Sequence, residues 1–428
     1  MRRVPGRPAR RRTRSSAGRD SYRPSAGVTS IGKITGRMSM STTETIEFPR
    51  PVTSEGLPDP LLLELVRDNP LVPVTGPGGI KAWLVASDEL AREVLSEPDR
   101  FSNMIDPSSI NSRANMVVID PPDHTRLRKL AAQAFTPRRV RTLVPDITGL
   151  VTSLLDEMEE KGPPLDLVDA LAMPLPTRVI CRLLGVPQDD QKHLRYWSHI
   201  FTAMTAYTSE EIGTAVDAMY AYMHQLVADR RKNLGEDILS HLIRARDGED
   251  ALTEDELVAT VVLLLVAGNE TTLKSITRGT MTLLHTGQWN RLVAGEVTPG
   301  QVVDEVLRHQ TPIDTGLFRW AKIDTELAGA SIKKGDQLFI SLHLANFDPS
   351  VRADAHVFDP GREFVPHLAF GHGTHFCLGS PLARAELVEA FGQLARRFPT
   401  LRLDAPLSEL EWTVGSMLNA PTHVPISW

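Results

Sequence analysis

The sequence contains few cysteines, no long uninterrupted hydrophobic run and no nucleotide-binding glycine motif. Two cysteines among 428 residues argue against a disulfide framework and indicate a reducing compartment. The longest apolar run, residues 257–267 with Thr260 inside it, is too short to cross a bilayer. No secretory hydrophobic segment follows the N-terminus. We therefore expect a cytoplasmic protein with no membrane partner.

The composition is that of a globular protein, but the charge is distributed unevenly. Hydrophobic residues make up 41% and charged residues 23%, as in an ordinary folded domain. Length alone suggests two or three domains. We find no internal repeat and no second domain, so we predict a single domain over residues 41–428. Residues 1–40 carry 11 Lys and Arg against one acid, Asp20, whereas the rest of the chain carries 36 bases and 52 acids.

Residues 1–40 are predicted to be a disordered basic extension, because they are rich in Arg, Ser and Gly and show almost no apolar periodicity. Such a segment fits a transit peptide, a nucleic-acid-binding arm, or a translated leader with the true start at Met38 or Met40. We favour a mis-assigned start and give the segment no functional weight. No nucleic-acid partner is expected.

One short stretch, residues 370–379, combines three glycines, two histidines and Cys377. Glycines allow positive φ and a close approach of the backbone to a large flat group. A thiolate on such a loop is a soft metal ligand or a nucleophile. Cys181 lies far away in an apolar helical pattern, so neither a CxxC zinc site nor a short disulfide is available. A single axial ligand, as in thiolate-ligated haem, fits this pattern, and the alternative is a buried cysteine beside a glycine-rich turn.

A long buried helix is predicted from a capping box at Thr253 and Glu256 to about His285, a length of roughly 50 Å. Its apolar pattern is interrupted by the polar stretch 267–272, Ala-Gly-Asn-Glu-Thr-Thr. Polar groups in a buried helix cost free energy unless they are used or hydrated. The stretch therefore marks either a functional site or a solvated kink.

Two further pairs of charged residues stand at helical spacing. His124 and Arg128 are four residues apart and share one face of a helix that follows Pro121 and Pro122. Glu305 and Arg308 are three apart and are able to touch. Taken alone, each pair is more often a solvated surface pair than a functional one.

Residues 370–379 resemble the haem-binding loop of the cytochrome P450 family, Phe-Gly-x-Gly-x-His-x-Cys-x-Gly, at every fixed position. The other motifs follow the family's order, and the resemblance covers about residues 50–428. It implies a mainly α fold, a helical prism with a small β-rich region, that encloses haem b (iron protoporphyrin IX). It also implies that Cys377 is the axial iron ligand. The same resemblance assigns the haem propionates to a set of basic residues: His124, Arg128, Arg319 and His375.

The resemblance further assigns the polar stretch of the long helix to oxygen activation. There Glu270 would supply protons and Thr271 would donate a hydrogen bond, in a segment where the family's helix opens locally. Adjacent helical residues point about 100° apart, so the two act through water or a local distortion. The family's structural Glu–Arg–Arg cluster is matched by Glu305, Arg308 and Arg362.

The implied activity is that of a soluble bacterial-type haem-thiolate monooxygenase of secondary metabolism, which uses O2 to hydroxylate or epoxidise an apolar small molecule. The candidate pocket residues are apolar or small and suggest a polyketide or macrolide, a terpenoid or a steroid. They are Ile105, Val117, Met204, Leu264, Ala267, Ile313, Leu317 and Met417. The alternatives are a peroxide-driven peroxygenase, whose relatives tend to lack the acid–alcohol pair, and a haem-thiolate protein that binds or senses ligands without turnover.

Electrons are expected from a separate ferredoxin and its ferredoxin reductase, because no strand followed by GxGxxG is evident and the chain has no length for a fused reductase. Since the chain beyond the tail is net acidic, docking of an acidic ferredoxin needs a local basic patch. The candidates are bases near the propionate-binding helix and the cysteine loop: Arg126, Lys129, Arg138, Arg139 and Arg384.

Overall fold

Helices dominate the structure, a computed structural model that describes residues 45–104, 116–235, 237–246 and 252–428. Within these residues the helices are α1 (Pro60–Asp68), α2 (Asp88–Ser96), α3 (Asp123–Ala132), α4 (Pro137–Lys161), α5 (Pro174–Leu184), α6 (Gln191–Phe201), α7 (Ser209–Lys232), α8 (Ile238–Arg246), α9 (Glu254–His285), α10 (Gln288–Val293), α11 (Pro299–His309), α12 (Leu342–Asn346) and α13 (Ser380–Arg397). The predicted basic extension and Ile105 lie outside the described residues.

The strands are short and form a small β-rich region. They are β1 (Ile46–Glu47), β2 (Leu71–Thr75), β3 (Lys81–Val85), β4 (Phe101–Ser102), β5 (Leu165–Asp166), β6 (Leu317–Ala321), β7 (Thr325–Leu327), β8 (Ala330–Ile332), β9 (Gln337–Ile340), β10 (Arg402–Leu403) and β11 (Pro425–Ser427). The main sheet has the order β1-β2-β3-β9-β6-β4, and smaller sheets are formed by β10-β11-β5 and by β7-β8. The mainly α fold with a small β region predicted from the sequence is confirmed.

Helix α9 is the central element of the helical part, and its ends follow from its sequence. The Thr253 hydroxyl accepts a hydrogen bond from the Glu256 amide at 3.1 Å, and the Glu256 carboxylate accepts one from the Thr253 amide at 2.8 Å. This capping box satisfies donors that a helix N-terminus otherwise leaves unpaired. The predicted start and end of this helix are both confirmed.

The apolar surface of α9 is used in packing. Helices α5, α6, α7 and α13 all pack against it, so it is surrounded on most sides. By length and composition it is the one helix in the described residues that is apolar enough to cross a membrane, yet 72% of its most apolar window is buried inside the protein. That burial is what a core helix of a globular domain shows.

Helix α13 begins directly after the cysteine loop and packs against α4, α9 and α11. Its apolar residues Leu387, Phe391 and Leu394 are almost fully buried. Burying such side chains stabilises a fold by roughly 1.5–3 kcal/mol each. The loop that precedes α13 is therefore attached to a helix that is firmly packed in the core.

Candidate functional site

The cysteine loop is folded tightly against the end of α2. The Cys377 amide donates a hydrogen bond to the Phe370 carbonyl at 2.8 Å, which closes the loop. Gly373 has φ +69°, and a Cβ at this position would lie 2.3 Å from the Leu95 carbonyl oxygen. Only glycine fits such a close approach to a neighbouring backbone. The loop geometry thus explains why the sequence has glycine at position 373.

The Cys377 sulfur lies at the N-terminus of α13, among hydrogen-bond donors. Burial raises the pKa of the Cys377 thiol, while the backbone N–H groups of Gly379 and Ser380 and the charge of Arg128 act in the opposite direction. Helix N-termini favour anions, and donors aimed at a sulfur tune it as a ligand. The N–H groups and Arg128 thus favour a thiolate at Cys377, whereas burial, the larger effect on its pKa, disfavours it. By contrast, Cys181 in α5 is fully buried, and burial alone raises its pKa to about 12.

His124 of α3 and His375 of the cysteine loop lie face to face, with ring centroids 3.9 Å apart. His124 is 2% exposed, and neither of its ring nitrogens has a hydrogen-bond partner among the described residues. His375 lies beside the Asn103 amide, whose nitrogen is 3.2 Å from Nδ1. Burial, followed by the nearby positive charges, lowers the pKa of His124 and brings that of His375 to about 3.

Two arginines complete this cluster. Arg319 of β6 is 4% exposed and donates through Nη1 to the Phe318 carbonyl at 2.7 Å, whereas its Nη2 has no partner within the described ranges. Burial lowers the pKa of Arg319 to about 10, against the opposing effect of Asp120. Arg128 of α3 donates to the Phe376 carbonyl. The structure thus brings together the four predicted basic residues and Cys377, although they come from three distant parts of the chain.

Helix α9 presents two different faces at the polar stretch. Ala267 is exposed and Thr271 is half-buried, although the helix around them is buried, and these two residues lie one turn apart on one face. The Thr271 hydroxyl donates to the Ala267 carbonyl at 2.7 Å. The expected local opening is absent here, because α9 is a continuous α-helix from Glu254 to His285.

Glu270 points away from Thr271 and is 3% exposed. Its Oε2 atom lies 4.0 Å from the Lys274 ammonium nitrogen, one turn further along α9, and Lys274 is itself buried. Burial lowers the pKa of Lys274, with Glu270 opposing that effect. His199 of α6 also lies within electrostatic reach of Glu270. Glu270 and Thr271 are therefore neighbours in sequence that do not share a face.

Lys274 and His199 were not singled out from the sequence. The spacing of Lys274, four residues after Glu270, is the signal for an ion pair on a helix, but it stood in an otherwise apolar run. His199 carries no such signal, because its approach to Glu270 depends on how α6 packs on α9.

The predicted Glu–Arg–Arg cluster is assembled by short contacts. Glu305 accepts from Arg308 at 2.7 Å and from Arg362 at 3.0 Å, and both arginines are largely buried. Arg308 also donates to the carbonyls of Ala355 and Val357. One buried carboxylate thus ties α11 to the segment that leads into the cysteine loop.

Six of the predicted pocket residues lie near the C-terminal stretch 415–418, at the start of β6 or on α9. Met204 and Met417 lie in two backbone segments that are hydrogen-bonded to each other. Ile313 pairs with Leu418 in an isolated β-bridge. Leu317 begins β6 next to Arg319, and Leu264 and Ala267 lie on α9. Val117 is 49% exposed.

Two of the five bases proposed for docking are already paired. Arg126 forms an ion pair with Glu256, and Arg384 lies 2.5 Å from an Asp304 carboxylate oxygen. Their charges are therefore partly neutralised at the surface. The charge that this predicted patch offers to a partner is therefore smaller than the sequence suggests.

The family model for cytochrome P450 matches residues 74–288 and 300–425. The chain is 38% identical to nocardicin C N-oxygenase from Nocardia uniformis subsp. tsuyamanensis, over 91% of this chain and all of that protein. It is also 38% identical to the cytochrome P450 monooxygenase PikC from Streptomyces venezuelae, over 87% of this chain and 91% of that one. The chain belongs to the cytochrome P450 family.

Solved structures agree with this assignment. The fold is similar to that of HinD, solved with NMFT and NO, with a TM-score of 0.84 and 37% identity over 90% of this chain and all of that one. It is also similar to the LnmA cytochrome P450 hydroxylase of the leinamycin biosynthetic pathway of Streptomyces atroolivaceus, with a TM-score of 0.81 and 38% identity over the same shares. The protein is a haem-thiolate monooxygenase, and its family implies haem iron, a redox partner and the use of O2.

Proposed function

We propose that this cytochrome P450 hydroxylates or epoxidises a medium to large apolar small molecule of secondary metabolism, of the polyketide or macrolide, terpenoid or steroid class. The names of its relatives support this proposal. One of them is the mycinamicin IV hydroxylase/epoxidase of Micromonospora griseorubida, which is 38% identical over 85% of this chain. The apolar character of the predicted pocket residues supports the same class.

The observation that carries the proposal is a buried cationic cluster beside a cysteine that is held among N–H donors. His124 and Arg319 are almost fully buried and carry nitrogen atoms without partners in the described part of the chain. Buried donors are costly unless they bind something. A flat group with two carboxylates would accept hydrogen bonds from these nitrogen atoms, and a metal at its centre would bind the cysteine sulfur. The residues therefore fit haem b.

In this proposal Cys377 holds the haem iron, and His124, Arg128, Arg319 and His375 bind the propionates. Thiolate-ligated haem supplies the oxygen-activating chemistry when it is bound. Thr271, on the exposed face of α9, donates a hydrogen bond into the distal space once its hydroxyl turns from the Ala267 carbonyl. Glu270 supplies protons. Its carboxylate has to move away from Lys274 to do so, because the two residues lie on a different face of α9 from Thr271.

We further propose that electrons come from a separate ferredoxin and its reductase, that the protein is cytoplasmic, and that residues 41–428 form its single domain. The domain proposal is supported by the grouping of residues 38–428 into one compact unit. Docking would use the predicted basic patch, most of which lies on or just after the helix that carries Arg128.

The test is turnover of the haem-loaded full chain with a ferredoxin, its reductase and NADPH, on compounds preselected by a Soret shift. We expect products that contain one oxygen atom from isotopically labelled O2. Turnover with hydrogen peroxide but not with ferredoxin would favour the peroxygenase alternative. Tight binding without any product would favour a ligand-binding or sensor protein and contradict the proposal.

A further inference from the structure

The connection between α6 and α7 is held by a short stretch near the C-terminus. The Gly415 carbonyl oxygen accepts hydrogen bonds from three consecutive amides, those of Met204 at 2.7 Å, Thr205 at 3.0 Å and Ala206 at 3.3 Å. We call residues 202–208 the roof and residues 415–417 the clasp. Three donors converging on one carbonyl form a compact attachment point between segments that are about two hundred residues apart.

The clasp is also bonded to the roof in the reverse direction. The Met417 amide donates to the Thr202 carbonyl at 3.0 Å, and the Ser416 hydroxyl donates to the same oxygen at 3.3 Å. Ala203 and Ser416 pair as an isolated antiparallel bridge. Backbone groups therefore define the contact, and it does not depend on the identity of most side chains.

Gly415 is the residue that makes this contact possible. It has φ +68°, and a Cβ at this position would lie 2.5 Å from the Thr205 hydroxyl and 2.8 Å from the Ala206 amide nitrogen. Any other residue would be strained by its backbone conformation and would push the roof away. A methyl group added at position 415 would therefore push the clasp and the roof apart.

The stretch just after the clasp is fixed to the core by Arg278. This arginine of α9 has 0% exposure and donates to Asp314 at 2.9 Å, to Gln310 at 2.9 Å and to the Asn419 carbonyl at 3.2 Å. Ile313, next to Asp314, pairs with Leu418. One buried guanidinium therefore holds both the 313–314 loop and the stretch just after the clasp against α9.

We propose that the clasp couples the roof to the core through Arg278, so that Gly415 and Arg278 are positioning residues that control the admission of bulky ligands. Predicted pocket residues lie on both parts, Met204 on the roof and Met417 on the clasp. Movement of the roof therefore displaces both of them or breaks the five hydrogen bonds between the two segments. The link to substrate admission rests on the proposed function, whereas the mechanical coupling does not.

The coupling is tested by hydrogen exchange on the haem-loaded full chain. Gly415→Ala should accelerate exchange in peptides covering 202–208 and 415–417 by about tenfold or more, because the added methyl group breaks hydrogen bonds between the clasp and the roof. The matched control is Gly295→Ala, at a glycine with φ +71° and no atom within 4 Å of a Cβ. It carries the same backbone strain without a clash. Equal exchange of the roof in both variants and the wild type would overturn the proposal.

Ligand admission is tested with two iron-binding probes, imidazole and the bulky azole clotrimazole, by stopped-flow at the Soret band. Gly415→Ala should bind and release clotrimazole about tenfold faster and leave imidazole rates unchanged, while Gly295→Ala should change neither. Faster binding of both probes, or of neither, would contradict control of bulky ligands by the clasp.

Arg278→Gln provides a second route to the same result. It removes the bonds to Asp314 and Asn419, so exchange should rise in the clasp and the roof together. A rise confined to the 313–314 loop would show that Arg278 does not anchor the clasp. If this variant does not fold, the Gly415→Ala result still decides the coupling. The reduced carbonyl spectrum of Gly415→Ala is recorded as well. If it is unchanged, a negative result in these tests counts against the coupling proposal and not against the haem assignment.

Discussion

His124 and His375 stack at 3.9 Å between ring centroids although they are 251 positions apart in the chain. The protonated form of neither imidazole is favoured here, because burial and neighbouring positive charges lower the pKa of both rings. Neutral imidazoles packed between Arg128 and Arg319 are able to donate one N–H each to a carboxylate while the arginines supply the charge. This division of roles underlies the haem-retention prediction.

Arg128→Ala should weaken haem retention. The substitution leaves a desolvated propionate short of its charge partner, an effect on the order of a few kcal/mol. We expect haem to transfer to apomyoglobin faster than from the wild type. The control is Arg138→Ala, at an exposed arginine of α4, which should transfer haem at the wild-type rate. Equal rates for Arg128→Ala and wild type would mean that Arg128 is only a surface charge.

Thr271→Ala should uncouple electron use from product formation. The variant keeps the pocket shape nearly intact but loses the hydroxyl on the exposed face of α9, so proton delivery fails. Substrate should still bind and NADPH should still be consumed, with more hydrogen peroxide and less oxygenated product. Thr272→Ala, at a neighbouring hydroxyl that is 3% exposed, should stay coupled. An unchanged product yield per NADPH in Thr271→Ala would remove the role assigned to this residue.

Reversal of two bases, Arg138→Glu with Arg139→Glu, should slow reduction by ferredoxin. Docking of an acidic partner to this patch is electrostatic, so the wild-type rate should also fall steeply once the Debye length drops below about 10 Å. Reduction by dithionite and substrate binding should not change. Arg402→Glu, at an exposed position in β10, is the control. A rate that does not depend on salt would contradict the docking surface.

Glu386 of α13 should make the protein less stable as the pH rises. Burial raises the pKa of this carboxyl from 4.5 to about 8. Between these values the folded state binds the proton more tightly than the unfolded state, so the free energy of unfolding falls by about 1.4 kcal/mol per pH unit.

Glu386→Gln should remove that slope and stabilise the protein at pH 8 relative to wild type, as measured by denaturant unfolding at a series of pH values. Glu389→Gln, at a half-buried position of the same helix, is the matched control and should leave the slope in place. A parallel pH dependence in wild type and Glu386→Gln would show that Glu386 ionises normally in the folded state.

Local sequence signals predicted the elements that carry the site. The capping box at Thr253 and Glu256 gave the start of α9. The glycine spacing of the cysteine loop follows from a close backbone approach that the structure contains at Gly373. The capping box depends on residues within a few positions of one another, and so it is readable from a single chain. The loop glycines indicated a close approach but not that the neighbour is the Leu95 backbone.

Contacts between distant segments were not predictable in the same way. The bonds from the roof to the Gly415 carbonyl involve backbone groups, which any sequence supplies. The pairing of Arg126 with Glu256 depends on how α3 packs against the start of α9. Likewise, the approach of His199 to Glu270 depends on how α6 packs on α9.

The most direct test of the account is the reduced carbonyl spectrum of two cysteine variants. In Cys377→Ala the red-shifted Soret band that thiolate ligation gives should disappear, because the sulfur among the N–H donors at the start of α13 is lost. In Cys181→Ala, where the fully buried side chain of α5 is shortened, the band should persist even if stability falls. Loss of the band in Cys181→Ala and its retention in Cys377→Ala would contradict the account.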